Sequence, residues 1–163
     1  MNKLIILVLM LVLMLIGGMS IFTVKQTERA LKLQFGKVVS AYDQPGLYFK
    51  YPIIQHIRKF DARIQNLDAN PEKFLTAEKK NLIVDSFVKW RIDNVTTYFT
   101  AVGGDPQRAG QRLSEIIADG LRSEFGKSKI QDVVSGSRAK IMETITNQVK
   151  ERAHPMGIEI IDV

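Results

Sequence analysis

Cysteine is absent from this chain of 163 residues, so no disulfide braces the fold, no thiol nucleophile is on offer, and the redox state of its compartment stays open. Histidine is nearly as scarce. His56 and His154 stand far apart, neither with a companion at metal-binding spacing, and His154 next to Pro155 suits a helix end. The serines are no richer in chemistry. Ser135-Gly136-Ser137 lacks the flanking glycines of a strained nucleophile elbow and reads as a helix cap. Gly103-Gly104-Asp105 at a helix start suits an anion, although a capped glycine connection requires no ligand. Asp61, Asp68 and Asp85 fall in strand-like stretches, where ion pairs with Arg63, Lys89 or Arg91 are the ordinary role. No nucleophile, base and oxyanion donor come together. The expectation is no catalytic residue, no metal and no cofactor.

A dense charge of one sign is missing as well. Lys and Arg number 23 against 17 Asp and Glu, a formal +6 spread along the chain. Lys79-Lys80 is the densest basic pair in the middle, and no aromatics interleave with a basic run, so no nucleic-acid partner is expected. A solvated exterior facing anionic headgroups accounts for the basicity equally well. No internal repeat or low-complexity tract appears.

What the chain does have is an apolar run. Residues 4–24, LIILVLMLVLMLIGGMSIFTV, carry no charge and are bracketed by Lys3 and Lys25. As a helix they would reach roughly 30 Å, the thickness of a bilayer's hydrocarbon core. A cleaved secretory signal is the rival, with Gly18 and Ser20 before the cut. Ile21, Phe22, Thr23 and Val24 carry the run to spanning length, which favours an uncleaved anchor over residues 1–24. Gly17 and Gly18 lack the small-xxx-small spacing of a helix-packing motif. Lys3 stands before the run and Lys25, Arg29, Lys32 and Lys37 after it, a count that by itself places the carboxyl side in the cytoplasm.

The rest, residues 25–163, is long enough for one domain with a core. Residues 27–35 alternate as a half-buried strand stopped by Gly36, and Pro45-Gly46 suits a type II turn. Leu47, Phe49 and Tyr51 alternate in a second strand, and a third runs over 57–67. Residues 82–92 form the clearest strand, with Leu82, Val84, Ser86, Val88, Trp90 and Ile92 on one side. The patch 78–81 reads as the turn pairing it with 74–76.

The period then changes. Asp93 or Asn94 caps a short helix to about Val102. Asp105-Pro106 opens a second whose Ala109, Leu113, Ile116, Ile117 and Leu121 recur at helical spacing to Gly126. A third starts near Ser135 or Ser137 and is halted by Pro155, before a strand from Ile158 to Val163. Strands, helices, then a strand make an α+β fold with an antiparallel sheet and packed helices. The expected core comprises Leu31, Leu33, Phe49, Val84, Val88, Ile116, Leu121, Ile145 and Ile160, with Trp90 partly buried. Tyr48, Tyr51, Ile53 and Ile54, beside Lys50, Arg58 and Lys59, form a candidate membrane-contact edge, the rival being an ordinary core strand.

These segments together resemble a known family. VKQTERALKLQFGKV (24–38) after an apolar anchor, then QPGLYFKYPIIQHIRKFDARIQ (44–65), resemble the start of an SPFH (band 7, prohibitin-like) domain. TAEKKNLIVDSFVKWRI (76–92) and LRSEFGK (121–127) resemble its HflC branch, VDSFVKWRI being the discriminating string. The resemblance runs from anchor to final strand. It implies a non-enzymatic scaffold in the bacterial inner membrane, pairing with an HflK-like SPFH subunit in a large hetero-oligomer around an FtsH-like AAA protease. It implies a single pass with the main domain periplasmic, against the charge count; lysines inside a folded domain weaken that count. The family continues into a coiled-coil-rich region absent here, so a fragment of a longer protein is expected. The different-class alternative is a membrane-tethered hydrolase or protease using Ser135 or Ser137.

Overall fold

The computed structural model describes residues 2–128, 131 and 138–163, without the side chains of residues 2–4, 12, 13, 16, 19, 70 and 138. The chain forms two compact units, Met1–Ala62 and Arg63–Val163.

The first unit opens on helix α1 (Asn2–Met19), followed by β1 (Ile21–Val24), β2 (Glu28–Gln34), β3 (Lys37–Tyr42), β4 (Gly46–Phe49) and β5 (Gln55–Asp61). The helix is therefore shorter than the apolar run. Ser20 N–H donates to the Gly17 carbonyl at 3.2 Å, and the β-branched and aromatic residues Ile21–Val24 pair antiparallel with β4 instead of continuing the helix. Among the described residues, no helix is long and apolar enough to cross a membrane. Strands β3, β2 and β5 form a second antiparallel sheet with β2 in the middle. The sequence reading missed β3, although its Val38 and Val39 suit a strand.

Three further expectations change in this unit. Pro45-Gly46 is no type II turn, because Gly46 lacks the positive φ and is already the first residue of β4, opposite Val24. The third strand over 57–67 is in fact β5 and the start of β6, on either side of the boundary between the units. Phe49 is exposed, not core, because the pairing places it on the outer face of a two-stranded ribbon. The buried hydrophobics here are Val24, Ala30, Leu31 and Phe60, and Leu33 is half-buried.

The second unit orders β6 (Gln65–Leu75), β7 (Asn81–Ile92), α2 (Val95–Val102), α3 (Pro106–Phe125), α4 (Arg138–Ala153), a 3-10 turn (His154–Met156) and β8 (Ile158–Asp162). The sheet order is β6–β7–β8, all antiparallel. Strand β7 alternates as its sequence predicts: Val88, Trp90 and Ile92 are buried and Val84 half-buried, whereas Ile83 and Phe87 face out. Phe74 pairs with Leu82, and the turn is closed by Thr76, whose N–H donates to the Lys80 carbonyl at 3.0 Å. Pro71 lies at a register shift between Ala69 and Glu72 on the edge strand β6, where a missing N–H costs least.

Capping follows the sequence closely. The Asn94 side chain accepts from Thr97 N–H at 3.0 Å, and Asp105 accepts from Gln107 N–H at 2.9 Å, with Pro106 at the first helical turn. The α3 stripe buries Ala109, Leu113, Ile117, Leu121 and Phe125; α4 buries Ile141, Ile145 and Val149. Ile116, expected in the core, is only half-buried because it flanks this stripe. Trp90 is more buried than expected, with its ring 6.3 Å from that of Tyr98. Each fully buried aliphatic or aromatic side chain contributes roughly 1.5–3 kcal/mol. Gly157 links the turn to β8 at φ 68, and its carbonyl accepts from both Asp93 and Asn94 N–H, at 2.9 and 3.1 Å. A Cβ there would stand 2.4 Å from the Asn94 carbonyl oxygen, so only glycine fits.

Candidate functional site

Polar chemistry is thin across the described residues. No group of three or more His, Asp or Glu that could hold a metal occurs among them. His56 is exposed on β5 and His154 on the 3-10 turn, in separate units. Ser135 and Ser137 lie outside the described residues. At Gly103-Gly104-Asp105 the carboxylate of Asp105 itself caps α3 and lies 3.7 Å from Arg108. Arg91, expected to pair with a neighbouring aspartate, takes Glu159 of β8 at 2.6 Å. In the second unit a groove of about 390 Å3 lies between β7 (Leu82, Val84) and Leu121, Phe125 and Met142. Among its described lining residues the one acidic side chain is Asp85, with no histidine.

The conspicuous feature is an apolar rim on the first unit. It is built from the β1–β4 ribbon upward. Opposed residues in an antiparallel pair share a face, so Ile21 with Phe49 and Thr23 with Leu47 lie on one side, and Phe22 with Tyr48 on the other. The Phe22, Tyr48 and Tyr42 rings gather on that second side, with centroids 4.3 to 5.8 Å apart. Lys32 Nζ sits 5.5 Å from the Tyr42 ring centre, and the Tyr48 hydroxyl donates to the Gln44 carbonyl at 3.0 Å. Tyr48 is therefore half-buried in an aromatic cluster and separated from the other three candidate contact residues. Strand alternation carried this signal, since Tyr48 is out of phase with Leu47, Phe49 and Tyr51.

Those other three are brought together and turned outward. Tyr51 is 72% exposed, Ile53 85% and Ile54 41%. Leu47 and Phe49, on the outer face of the ribbon, extend the same apolar surface. The loop is held from below by Gln55, a buried polar side chain that the sequence reading missed. Its Oε1 accepts from Tyr51 N–H at 2.9 Å, its Nε2 donates to Gln34 Oε1 at 3.3 Å, and its own N–H donates to the Tyr51 carbonyl at 2.9 Å. Lys50 N–H donates to the Ser20 carbonyl at 2.8 Å, which fixes the start of this loop to the exit of α1.

A further exposed aromatic flanks the loop. Phe35 and Gly36 form a two-residue turn between β2 and β3, with φ 50 and φ 80. Both values are positive, as a type I′ turn requires, and that turn favours Asn, Asp or Gly at its first position. A left-handed backbone costs an ordinary residue about 1–2 kcal/mol, yet Phe35 occupies it with its ring 82% exposed. The rim's described residues include no carboxylate and no histidine. What it can do is bury apolar surface in another phase.

Comparison with known proteins gives a family match over most of the chain. The family described as SPFH domain / Band 7 family matches residues 22–163, beginning within β1 and leaving out α1. Protein HflC of Haemophilus influenzae is 41% identical over 154 residues, covering 88% of this chain and 52% of the relative. Modulator of FtsH protease HflC of Escherichia coli K12 is 42% identical over 148 residues, covering 86% of this chain and 44% of the relative. Protein HflC of Buchnera aphidicola from Acyrthosiphon pisum is 36% identical over 173 residues, covering 93% and 56%. The chain spans about half the length of the curated relatives it matches.

Proposed function

This chain belongs to the SPFH domain / Band 7 family, and on that premise we propose that it is a membrane-held, non-enzymatic modulator of an FtsH-like AAA protease. The observation that carries the reading is the 42% identity, over 86% of this chain, to a protein named as a modulator of that protease. The described residues agree in kind: they offer folded surfaces and an apolar rim, which suit assembly and not turnover.

In this reading α1 is the anchor. Its 18 residues rise about 27 Å as a helix, a little short of the roughly 30 Å hydrocarbon core, and hold the chain in the membrane by their apolar surface. The seven successive side chains Ile5, Ile6, Leu7, Val8, Leu9, Met10 and Leu11 are all exposed, so every side of nearly two turns is apolar and uncovered. Water gives such a helix no reason to persist. The rim of Tyr51, Ile53 and Ile54 then meets the lipid headgroups, since the hydrogen bond from Lys50 to Ser20 keeps the loop at the helix exit. The main domain is periplasmic in the bacterial inner membrane. Arg29, Lys32 and Lys37, three of the four residues in the opposite charge count, lie in β2 and β3 of the folded unit, where they say little about topology.

The partners are an HflK-like SPFH subunit and the protease itself, in a large hetero-oligomer. Parallel anchors confine neighbouring domains to one surface and raise their effective concentration, so contacts weak in solution suffice for a ring. Gentle detergent extraction of the tagged chain from its native membrane, followed by identification of the co-purifying proteins, tests this. The expected result is a complex holding an ATP-dependent protease and a second SPFH subunit. A lone monomer that cleaves peptides, and loses that activity on Ser135→Ala or Ser137→Ala, would replace the proposal with the hydrolase reading. A topology reporter after Val163 is expected to be active only in the periplasm; activity only in the cytoplasm overturns that placement.

A further inference from the structure

We propose that Phe35, at the tip of the β2–β3 hairpin, is a lipid-inserting residue that extends the rim, so that the first unit rests on an anionic bilayer along a line and not at a single loop. The inference builds on the reading of Tyr51, Ile53 and Ile54 as membrane contacts.

Three observations carry it. The first is position. Gln34 and Gln55 are the last opposed pair of β2 and β5, and Phe35 and Ile54 each lie one residue beyond it. The Gln55 side chain bonds to both Gln34 and Tyr51, so the hairpin tip and the apolar loop are held to one another. A continuous border thus runs from the α1 exit at Ser20, through Lys50, Tyr51 and Ile54, to Phe35.

The second is the double cost of the residue in water. Phe35 holds a backbone conformation that aromatic side chains rarely adopt, and its ring is exposed, without burial to offset the strain. A single exposed apolar side chain is ordinary on a protein surface. An exposed phenylalanine on a rigid left-handed turn, beside the outward apolar residues Tyr51, Ile53 and Ile54, is accounted for when the ring has a second phase to enter.

The third is charge. Between residues 29 and 60 the sequence has one carboxylate, Asp43. It follows Tyr42, which pairs with Ala30 toward the far end of the sheet, and it lies 3.9 Å from Arg29. Glu28 and Asp61, themselves an opposed pair, close that same far end. The rim end instead carries Lys37, opposite Gln34, and Lys50 beside the α1 exit. At the far end the acids are matched by Arg29 and Lys59, so the unit's excess positive charge stands with the apolar rings at the rim end, which suits anionic headgroups. A line contact also sets the angle of the unit to the bilayer, which a single inserted loop leaves free.

Because the natural chain has no cysteine, one introduced thiol labels one place. Nitroxide labels are placed on F35C, I53C and, as a far-end control, Q44C, in the full chain reconstituted in vesicles of phosphatidylglycerol and phosphatidylethanolamine. Accessibility to oxygen relative to a water-soluble nickel chelate reads depth. The expected result is a ratio several-fold higher at positions 35 and 53 than at 44, falling at 35 when the vesicles are phosphatidylcholine alone. A high ratio at 53 with position 35 matching 44 overturns this inference and leaves the loop contact standing. Low ratios at both 35 and 53 remove the membrane reading itself. Protection of position 35 from both reagents means that protein, such as a second copy, covers it, and also overturns the proposal.

Discussion

In the second unit Leu113, Ile117, Ile145 and Val149 are fully buried along α3 and α4, whereas in the first Phe35, Phe49, Tyr51 and Ile53 face outward. Both units are antiparallel and both alternate, so strand period alone does not separate them. Coverage does. The second unit lays amphipathic helices against its sheet, and the alternation of β7 then sorts Val88 and Trp90 inside from Ile83 and Phe87 outside. The first unit has sheets of two and three strands, and α1 spends its apolar surface elsewhere, with Ile5, Leu9, Met10 and Met14 exposed. The second unit gathers its helix stripes into a large core, even though Ile83 and Phe87 stay outside. The first combines a small core of Val24, Ala30, Leu31 and Phe60 with an outward apolar rim.

The sharpest way to break this contrast acts on the second unit. Gly157→Ala forces a Cβ at φ 68 to within 2.4 Å of one backbone oxygen and 2.7 Å of the Tyr98 nitrogen. Strain and clash together should cost roughly 3–5 kcal/mol, enough to unfold a unit of this size. Urea denaturation in mild detergent, followed by Trp90 fluorescence, reports it. Gly36→Ala, also at positive φ but with open space around it, should cost only about 1 kcal/mol. Equal losses would mean that the close approach to α2 is not what pins β8.

Paired truncations test the contrast directly. Leu113→Ala removes a fully buried side chain of α3 and should cost about 2–5 kcal/mol. Ile53→Ala removes an exposed one of equal class and should change stability in detergent by no more than about 0.5 kcal/mol. If Ile53→Ala destabilised as much as Leu113→Ala, the rim would be core and the comparison would collapse. An effect between these two, about 1–3 kcal/mol, is expected for Gln55→Ala, which leaves the Tyr51 N–H and the Gln34 side chain short of a partner. Amide exchange in residues 50–54 should rise with it. Unchanged exchange would show that the loop does not depend on that side chain.

The contrast also marks what could be read from sequence. Caps, helix stripes and the alternation of β7 are set by local chemistry, and Asn94, Asp105, Leu113 and Val88 sit where their spacing puts them. Phe49 was misplaced because alternation gives two faces without saying which is covered, and nothing local reveals that the β1–β4 ribbon has only two strands. The end of α1 was misplaced because residues 4–24 are uniformly apolar; only the β-branched turnover at Ile21, Thr23 and Val24 signalled a strand. Of the candidate contact residues, Tyr51, Ile53 and Ile54 are exposed, as a contact edge requires. Tyr48 instead packs half-buried among Tyr42 and Phe22, and the exposed Phe35 escaped notice because Gly36 marked the turn without its partner.

The smallest expected effect lies at the far end of the first unit, away from the rim. Lys59 Nζ lies 3.1 Å from Glu28 Oε2 across the β2–β5 pair. That hydrogen bond, aided by the lysine's charge and by the backbone of Lys25, holds the Glu28 carboxyl below the ordinary glutamate range, against a modest opposing effect of desolvation. A depressed folded-state pKa means that the stabilisation is complete above the unfolded value and is lost as pH falls through the folded one. The pair is solvent-exposed, so its weight in stability is slight and falls with salt. The sharper readout is therefore titration of the Glu28 side-chain carbon by NMR. It should give a midpoint below that of an ordinary glutamate, and Lys59→Met should move it upward. If Lys59→Met left the midpoint in place, the two side chains would not be paired in solution. The far end would then lack the fixed acid–base pairing that sets it apart from the lysine-bearing rim.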